Sequence, residues 1–344
     1  MQRLILTILA LLAATLTLPA CGPVTFTIDT GGANKRLTSS TVIDEPGAGA
    51  TRVAIIDVTG MIYNASRRHL LGRGENPVSL LHEKLQAVRA DHNVKAVILR
   101  INSPGGTVTA SDAMYRQIVR FKADTATPVI ALMMDVTASG GYYIACAADH
   151  CIAYPSTVTG SIGVVMQLIS LKPLMTRWGI DAQAITSGPN KAAGSPLATL
   201  TDEQRAIFQS LVDDFYSRFT QVVRDARPNI PPDQFATVTD GRIFSGAQAL
   251  DAGLIDQVGD LHDAFSLAKR KAGVERADLI LYRRPAAYAG SPYATTSNTP
   301  ANATPNAMPN ATTQINLAQF NFANDAVYHI GGTPVGFYYL WSLD

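Results

Sequence analysis

The stretch Val129–Val165 constrains this chain more than any other. Read from Pro128 it is PVIALMMDVTASGGYYIACAADHCIAYPSTVTGSIGVV. The apolar run Val129–Met134 has the length and composition of a buried strand. It breaks at Asp135–Ala138. Ser139, Gly140 and Gly141 follow, and then an Ala-rich apolar segment, Tyr142–Ala148, that fits a helix packed on a sheet. A serine between a strand end and a helix start holds its hydroxyl out at a sharp bend, and neighbouring glycines let another backbone come close. A nucleophilic serine needs that arrangement. A serine helix cap with glycines supplying the turn uses the same residues.

The segments before it repeat one pattern. Val53–Val58 reads as a strand and Ser79–Asp91 as a helix with Leu80, Leu81, Leu85 and Val88 on one face. Val94–Ile101 is a second strand, mostly apolar as in a parallel sheet covered on both sides. Asn102–Thr107 (NSPGGT) reads as a tight glycine turn, and Ala110–Lys122 as a helix facing inward through Met114, Ile118 and Phe121. Strand and helix alternating in this way predict an α/β fold of stacked βαβ units. Farther on, Ile152–Ala153 and Gly160–Met166 read as strands, and Leu174–Trp178 as a short helix. Ser187–Pro196 reads as a loop containing Lys191. A long helix starts at the Thr201 cap, with Gln204 completing a capping box, and runs to about Ala226. Ala247–Ala252 and Leu261–Ala272 are further helices.

In a parallel sheet the turns after strands two and three emerge at the same carboxyl edge, where open α/β folds place their sites. That edge collects Gly105–Gly106 and Ser139–Gly140. The amides of Gly106 and Gly140 are the candidate oxyanion hole for an acyl transfer at Ser139. A serine also needs a base. No histidine lies between His150 and His262. Lys191, in the glycine- and proline-bounded GPNKAAGSP, is the alternative, since desolvation favours a neutral amine. Ser161 in TGSIG reads as a turn hydroxyl near the site, with a supporting hydrogen bond to Lys191 as its functional use. Ser103, Asp149 and the pair Tyr142–Tyr143 read as structural.

Five segments in order, INSPGGTVTASDAMY, ASGGYYIACAAD, TGSIGVVM, SGPNKAAGSP and GRIFSGAQALDAGLIDQVGD, resemble the signature segments of the S49 protease family, the signal peptide peptidase A type. The resemblance spans about Val53 to Ala272. It implies a Clp-like (crotonase-like) fold and a Ser–Lys dyad with Ser139 as nucleophile and Lys191 as base. It also implies oxyanion donors at Gly106 and Gly140. The family's single-repeat members assemble into dome-shaped rings whose active sites draw residues from neighbouring subunits. The implied function is a serine endopeptidase that degrades cleaved signal peptides and other apolar segments at the cell envelope, with no cofactor and no metal. Against it stand a Clp-type Ser-His-Asp protease, which lacks its histidine here, and an acyl-CoA enzyme, which suits neither a secretory leader nor the serine. A catalytically inactive scaffold lipoprotein is a further alternative, which leaves Ser139 and Lys191 without a use.

The two ends are different in kind. Met1–Ala20 has a basic start and an apolar run at Leu4–Leu18, shorter than a membrane span, and ends in Leu-Pro-Ala before Cys21. Small residues before a cysteine resemble a bacterial lipobox, which implies cleavage there and a lipid anchor on Cys21, with the catalytic domain on the periplasmic side. Residues 21–51 read as a flexible tether, 52–282 as the protease domain and 283–344 as a low-complexity tail. Pro285–Thr313 carries no charge and too little apolar area for a core. Beyond it, Phe337, Tyr338, Tyr339 and Trp341 read as a docking peptide or a sticky end; seated in an apolar groove, they form a built-in competitor. A formal net charge of +1 gives no electrostatic footprint for nucleic acid.

Overall fold

A computed structural model of the chain describes residues 36–66, 68–69, 72–285, 289–294 and 337–340. The leader, Cys21 and most of the tail lie outside the described residues. The first half runs β1 (Thr38–Ile43), β2 (Arg52–Thr59), β3 (Arg68–His69), β4 (Gly72–Arg73), α1 (Pro77–Ala90), β5 (Val94–Ser103), β6 (Gly105–Thr107), α2 (Val108–Thr125), β7 (Val129–Ala138) and α3 (Gly140–Ala145). The second runs β8 (His150–Ala153), β9 (Val158–Gly160), β10 (Val165–Met166), α4 (Lys172–Arg177), α5 (Asp202–Ala226), α6 (Pro232–Val238) and β11 (Ile243–Ser245). It ends with α7 (Gly246–Asp251), β12 (Gln257–Val258), α8 (Leu261–Lys271), β13 (Asp278–Arg283) and β14 (Phe337–Leu340).

The main sheet has the order β1-β13-β2-β5-β7-β8-β12, with β9 pairing β7 and β11 pairing β9. The neighbours from β13 to β12 are parallel; β1 is an antiparallel edge. Side chains alternate between the two faces of each strand. Ala54, Ile56, Val97, Leu99, Ile101 and Met133 therefore meet α1, α2 and α3 on one face. Val53, Ile55, Ala96, Ile98, Ile130 and Leu132 meet α8 on the other. Both faces are covered, which is why β2, β5 and β7 are mostly apolar rather than alternating. Each fully buried Leu or Ile in these layers contributes about 1.5–3 kcal/mol.

Three expectations are corrected. The tether does not extend to residue 51: Thr38–Ile43 pairs with β13, and Glu45 is held by Lys269 at 2.8 Å and by the Ala277 amide at 3.0 Å. Its TSSTVI sequence shows little apolar patterning because an edge strand is half exposed. The glycine turn after β5 is shorter than expected, since Gly105–Thr107 is a strand of its own. The strand expected over Gly160–Met166 is two strands, β9 and β10, separated at Ser161, whose φ is 49°. The Thr201 capping box is present, with the Thr201 hydroxyl accepting from the Gln204 amide. Among the described residues no helix is long and apolar enough to cross a membrane. Cys146 and Cys151 are free thiols in the core.

Candidate active site

Ser139 sits where β7 turns into α3, with φ 52° and ψ −117°. A non-glycine residue there is strained by roughly 1–3 kcal/mol, so its surroundings must hold it in place. They do. The Ser139 amide donates to the Gly160 carbonyl at 2.8 Å, and the Ser139 carbonyl accepts from the Tyr143 amide at 2.8 Å. Below it a ladder of threonine hydroxyls locks the end of the sheet: Thr137 to the Ile101 carbonyl at 2.8 Å, Thr159 to the Thr137 carbonyl at 2.6 Å, and Thr157 to the Met133 carbonyl at 3.0 Å. The Ser139 side-chain oxygen is buried without a hydrogen-bond partner among the described residues. A buried hydroxyl without a partner is rare and asks for a reason.

The reason lies beside it. β6 runs past Ser139 with one edge tied to Ile62: the Ile62 amide donates to Gly105 at 2.8 Å and the Thr107 amide donates to Ile62 at 2.8 Å. A Cβ on Gly106 would stand 1.8 Å from the Ile62 carbonyl oxygen, so only glycine allows this approach. The other edge of β6 faces β14, the C-terminal segment, which pairs antiparallel with it, Tyr339 opposite Gly106. On its far side β14 pairs with β10. A peptide strand thus lies in a slot between β6 and β10, across the mouth of the Ser139 turn. Its Tyr339 carbonyl oxygen is 2.0 Å from where a Cβ on Gly105 would stand and 3.1 Å from where one on Gly140 would stand.

The structure therefore brings Ser139, Gly140, Gly106 and, through the bond of Ser139 to Gly160, Ser161 to one edge. The Ser161 amide is fixed by the Arg242 carbonyl at 2.7 Å. It does not bring Lys191 there. Lys191 is exposed, and its ammonium makes no hydrogen bond or ion pair among the described residues. Nor, among the described residues, does a histidine stand beside Ser139. His150 pairs with Ile130 at the opposite end of β7, about 25–30 Å of strand away from Ser139. Ser103 is a turn residue, as expected: its hydroxyl donates to the Gly60 carbonyl at 2.6 Å and accepts from the Gly105 amide at 3.1 Å. Asp149 accepts from the Val129 amide at 2.8 Å and pairs with Lys122 at 2.7 Å.

Sequence reasoning placed Gly105 at this edge but gave it no part; its φ is 103°, and a Cβ there would stand 2.0 Å from the Tyr339 carbonyl oxygen. Sequence reasoning also missed the part of Tyr143. Tyr143 is a wall of the cavity that receives Tyr339, with rings stacked at 5.2 Å, and its hydroxyl is anchored on Asp112 at 2.9 Å. Burial and the Asp112 bond push the Tyr143 phenol well above its ordinary range. Nothing in the local sequence separates a wall of this kind from core packing.

Residues 122–275 match peptidase family S49, and residues 52–159 match the Clp protease family. The chain is 35% identical over 224 residues to "Putative protease slr0021" of Synechocystis sp., an alignment covering 65% of this chain and 76% of that protein. It is 30% identical over 239 residues to "Putative signal peptide peptidase SppA" of Enterococcus faecium, covering 70% and 69%. It is 39% identical over 209 residues to "Serine protease SPPA, chloroplastic" of Arabidopsis thaliana, covering 60% of this chain and 30% of that longer protein.

Proposed function

The chain belongs to peptidase family S49, has a Clp-like α/β fold and is a serine peptidase; from that premise we propose that it is a Ser–Lys endopeptidase acting on cleaved signal peptides and other apolar segments at the cell envelope. One observation carries this reading. A strained serine, whose buried hydroxyl has no partner among the described residues, stands beside glycines that cradle the carbonyl of an extended peptide. In this mechanism the amine of Lys191 takes the Ser139 proton, and Oγ adds to the scissile carbonyl carbon. The amides of Gly106 and Gly140 hold the oxygen as it gains charge. The tetrahedral species collapses as the amine leaves with the proton from Lys191. Lys191 then activates the water that releases the acyl group from Ser139, and Ser161 orients the lysine.

The base comes from a neighbouring copy in a ring. Lys191 lies in an arm, residues 167–200, that holds Leu174, Trp178, Ile180, Ile185 and Leu197 in solvent; Trp178 is 74% exposed. An exposed apolar arm of this size marks an interaction surface. A second copy packed on it supplies the dry surroundings that a neutral amine needs. A lipid on Cys21 keeps the ring at the membrane, and mass spectrometry of the mature N-terminus tests it: an unmodified Cys21, or retained Met1–Ala20, removes the anchor. The peptidase reading is tested by a fluorophosphonate probe on the full chain. Labelling at Ser139, absent in Ser139→Ala, is expected; a label elsewhere, or peptide cleavage that survives Ser139→Ala, refutes it. Lys191→Ala is expected to abolish turnover with an unchanged melting curve.

A further inference from the structure

The occupied slot says what the enzyme selects. Successive peptide groups of a strand face opposite edges. The Gly105 carbonyl and the Thr107 amide both bond Ile62. The Gly106 amide therefore faces β14, where its register partner is Tyr339. That directs the proposed oxyanion donor at the Tyr339 carbonyl, the oxygen already lodged between Gly105 and Gly140. Tyr339 thus holds the position of the residue before the cleaved bond. Its side chain is 0% exposed. The ring stacks on Tyr143 at 5.2 Å and lies 4.6 Å from the Phe219 ring, and its hydroxyl donates to the Phe215 carbonyl at 2.9 Å. Tyr143 is itself braced by Tyr115, edge-on at 5.2 Å. The cavity is closed around an aromatic ring and ends in an acceptor.

We propose that this cavity is the enzyme's primary specificity pocket, that it selects tyrosine before the cleaved bond, and that Phe337–Leu340 is a tethered ligand competing with added substrates. This rests on the peptidase reading above. The ring fills a pocket that an alanine side chain leaves empty, and the phenol adds one hydrogen bond that phenylalanine lacks. A tether holds the competitor at millimolar effective concentration.

The test uses the full chain and three peptides that differ only before the cleaved bond, with Tyr, Phe or Ala there. The expected order in kcat/KM is Tyr over Phe by about threefold to tenfold, from the single hydrogen bond. Tyr over Ala is expected by about 10²-fold, from burial of the ring. Tyr339→Ala is expected to lower the apparent KM for the tyrosine peptide by about tenfold. A parallel arm measures binding of the same fluorescent peptides to Ser139→Ala/Tyr339→Ala. Cleavage of the alanine peptide as fast as the tyrosine peptide overturns the pocket and leaves the peptidase reading standing. An unchanged KM in Tyr339→Ala overturns the competitor. Preferred binding of the tyrosine peptide with no cleavage by any active-serine form supports the pocket and removes the peptidase reading. Neither preferential binding nor cleavage overturns both.

Discussion

Mixing two dead variants is expected to revive this enzyme. Among the described residues of the single chain the Ser139 hydroxyl has no partner, and Lys191 stands in solvent. If the dyad forms between copies, Ser139→Ala and Lys191→Ala each lose turnover alone, by about 10⁴-fold or more. In a head-to-tail ring each site takes its serine from one subunit and its lysine from the next. In an equal random mixture, half the subunits keep Ser139 and half keep Lys191. About one quarter of the sites are then intact, so co-expressed mixed rings are expected to recover up to about 25% of native activity. The assay is peptide cleavage by rings purified through two different affinity tags, one on each variant, compared with each variant alone. A dyad within one chain gives no intact site in any mixture. Activity that stays at the background of the separate variants, in rings shown to contain both, refutes the shared site.

Gly105→Ala is expected to lower kcat/KM by about 10²–10³-fold, because its Cβ would stand 2.0 Å from the bound carbonyl oxygen and 2.7 Å from the Gly140 amide; kinetics beside a melting curve separate this from unfolding. Arg100→Met is expected to cost about 3–5 kcal/mol and lower Tm by about 6–20 °C in calorimetry. Arg100 holds the buried Asp57 at 2.6 Å and the Pro292 and Ala294 carbonyls at 2.7 and 2.6 Å, so its loss breaks a buried ion pair and frees residues 289–294. Stability is expected to fall in acid. Burial opposes ionisation most at Asp112 and Asp256. Bonds from Arg116, Arg218 and Tyr143 to the first, and the Arg227 charge beside the second, still hold both below their ordinary range; Lys269 does the same for Glu45. Each contribution is complete above the unfolded carboxylate value near pH ~4 and is lost as pH falls through the lowered native one. Denaturant titrations from pH 7 to pH 3 that show no loss would contradict this.

The layers of the fold were legible because their signal is local. Val53–Val58, Val94–Ile101 and Val129–Met134 are mostly apolar because helices cover both faces of the sheet, and the structure places all three at its centre. The α5 start was legible because a capping box needs only residues three apart. β1 was not. Its only marked apolar residues are Val42 and Ile43, and what makes it a strand is β13, more than two hundred residues away. β6 was read as a turn for the opposite reason: glycine is a turn residue in isolation, and Gly105–Thr107 is extended because Ile62 and β14 bond its two edges.

The site divides along the same line. The strained turn at Ser139 was legible because it is produced by the residues next to it, a strand end, two glycines and a helix start, although the hydroxyl it carries is buried rather than exposed. The cradle was legible in part, since the carboxyl edge of a parallel sheet collects its turns whatever their sequence. Lys191 was read from a motif rather than from geometry, and among the described residues its ammonium has no partner. Such a residue is legible as chemistry and illegible as position, and the shared site proposed above is what would give it a contact. The aromatic tail is the converse case. Its composition marked it as a docking peptide or a sticky end, while the register that sets Tyr339 opposite Gly106 depends on both edges of a slot formed by residues 105–107 and 165–166. No single segment encodes that slot, which is why the proposed specificity pocket is visible only in the folded chain.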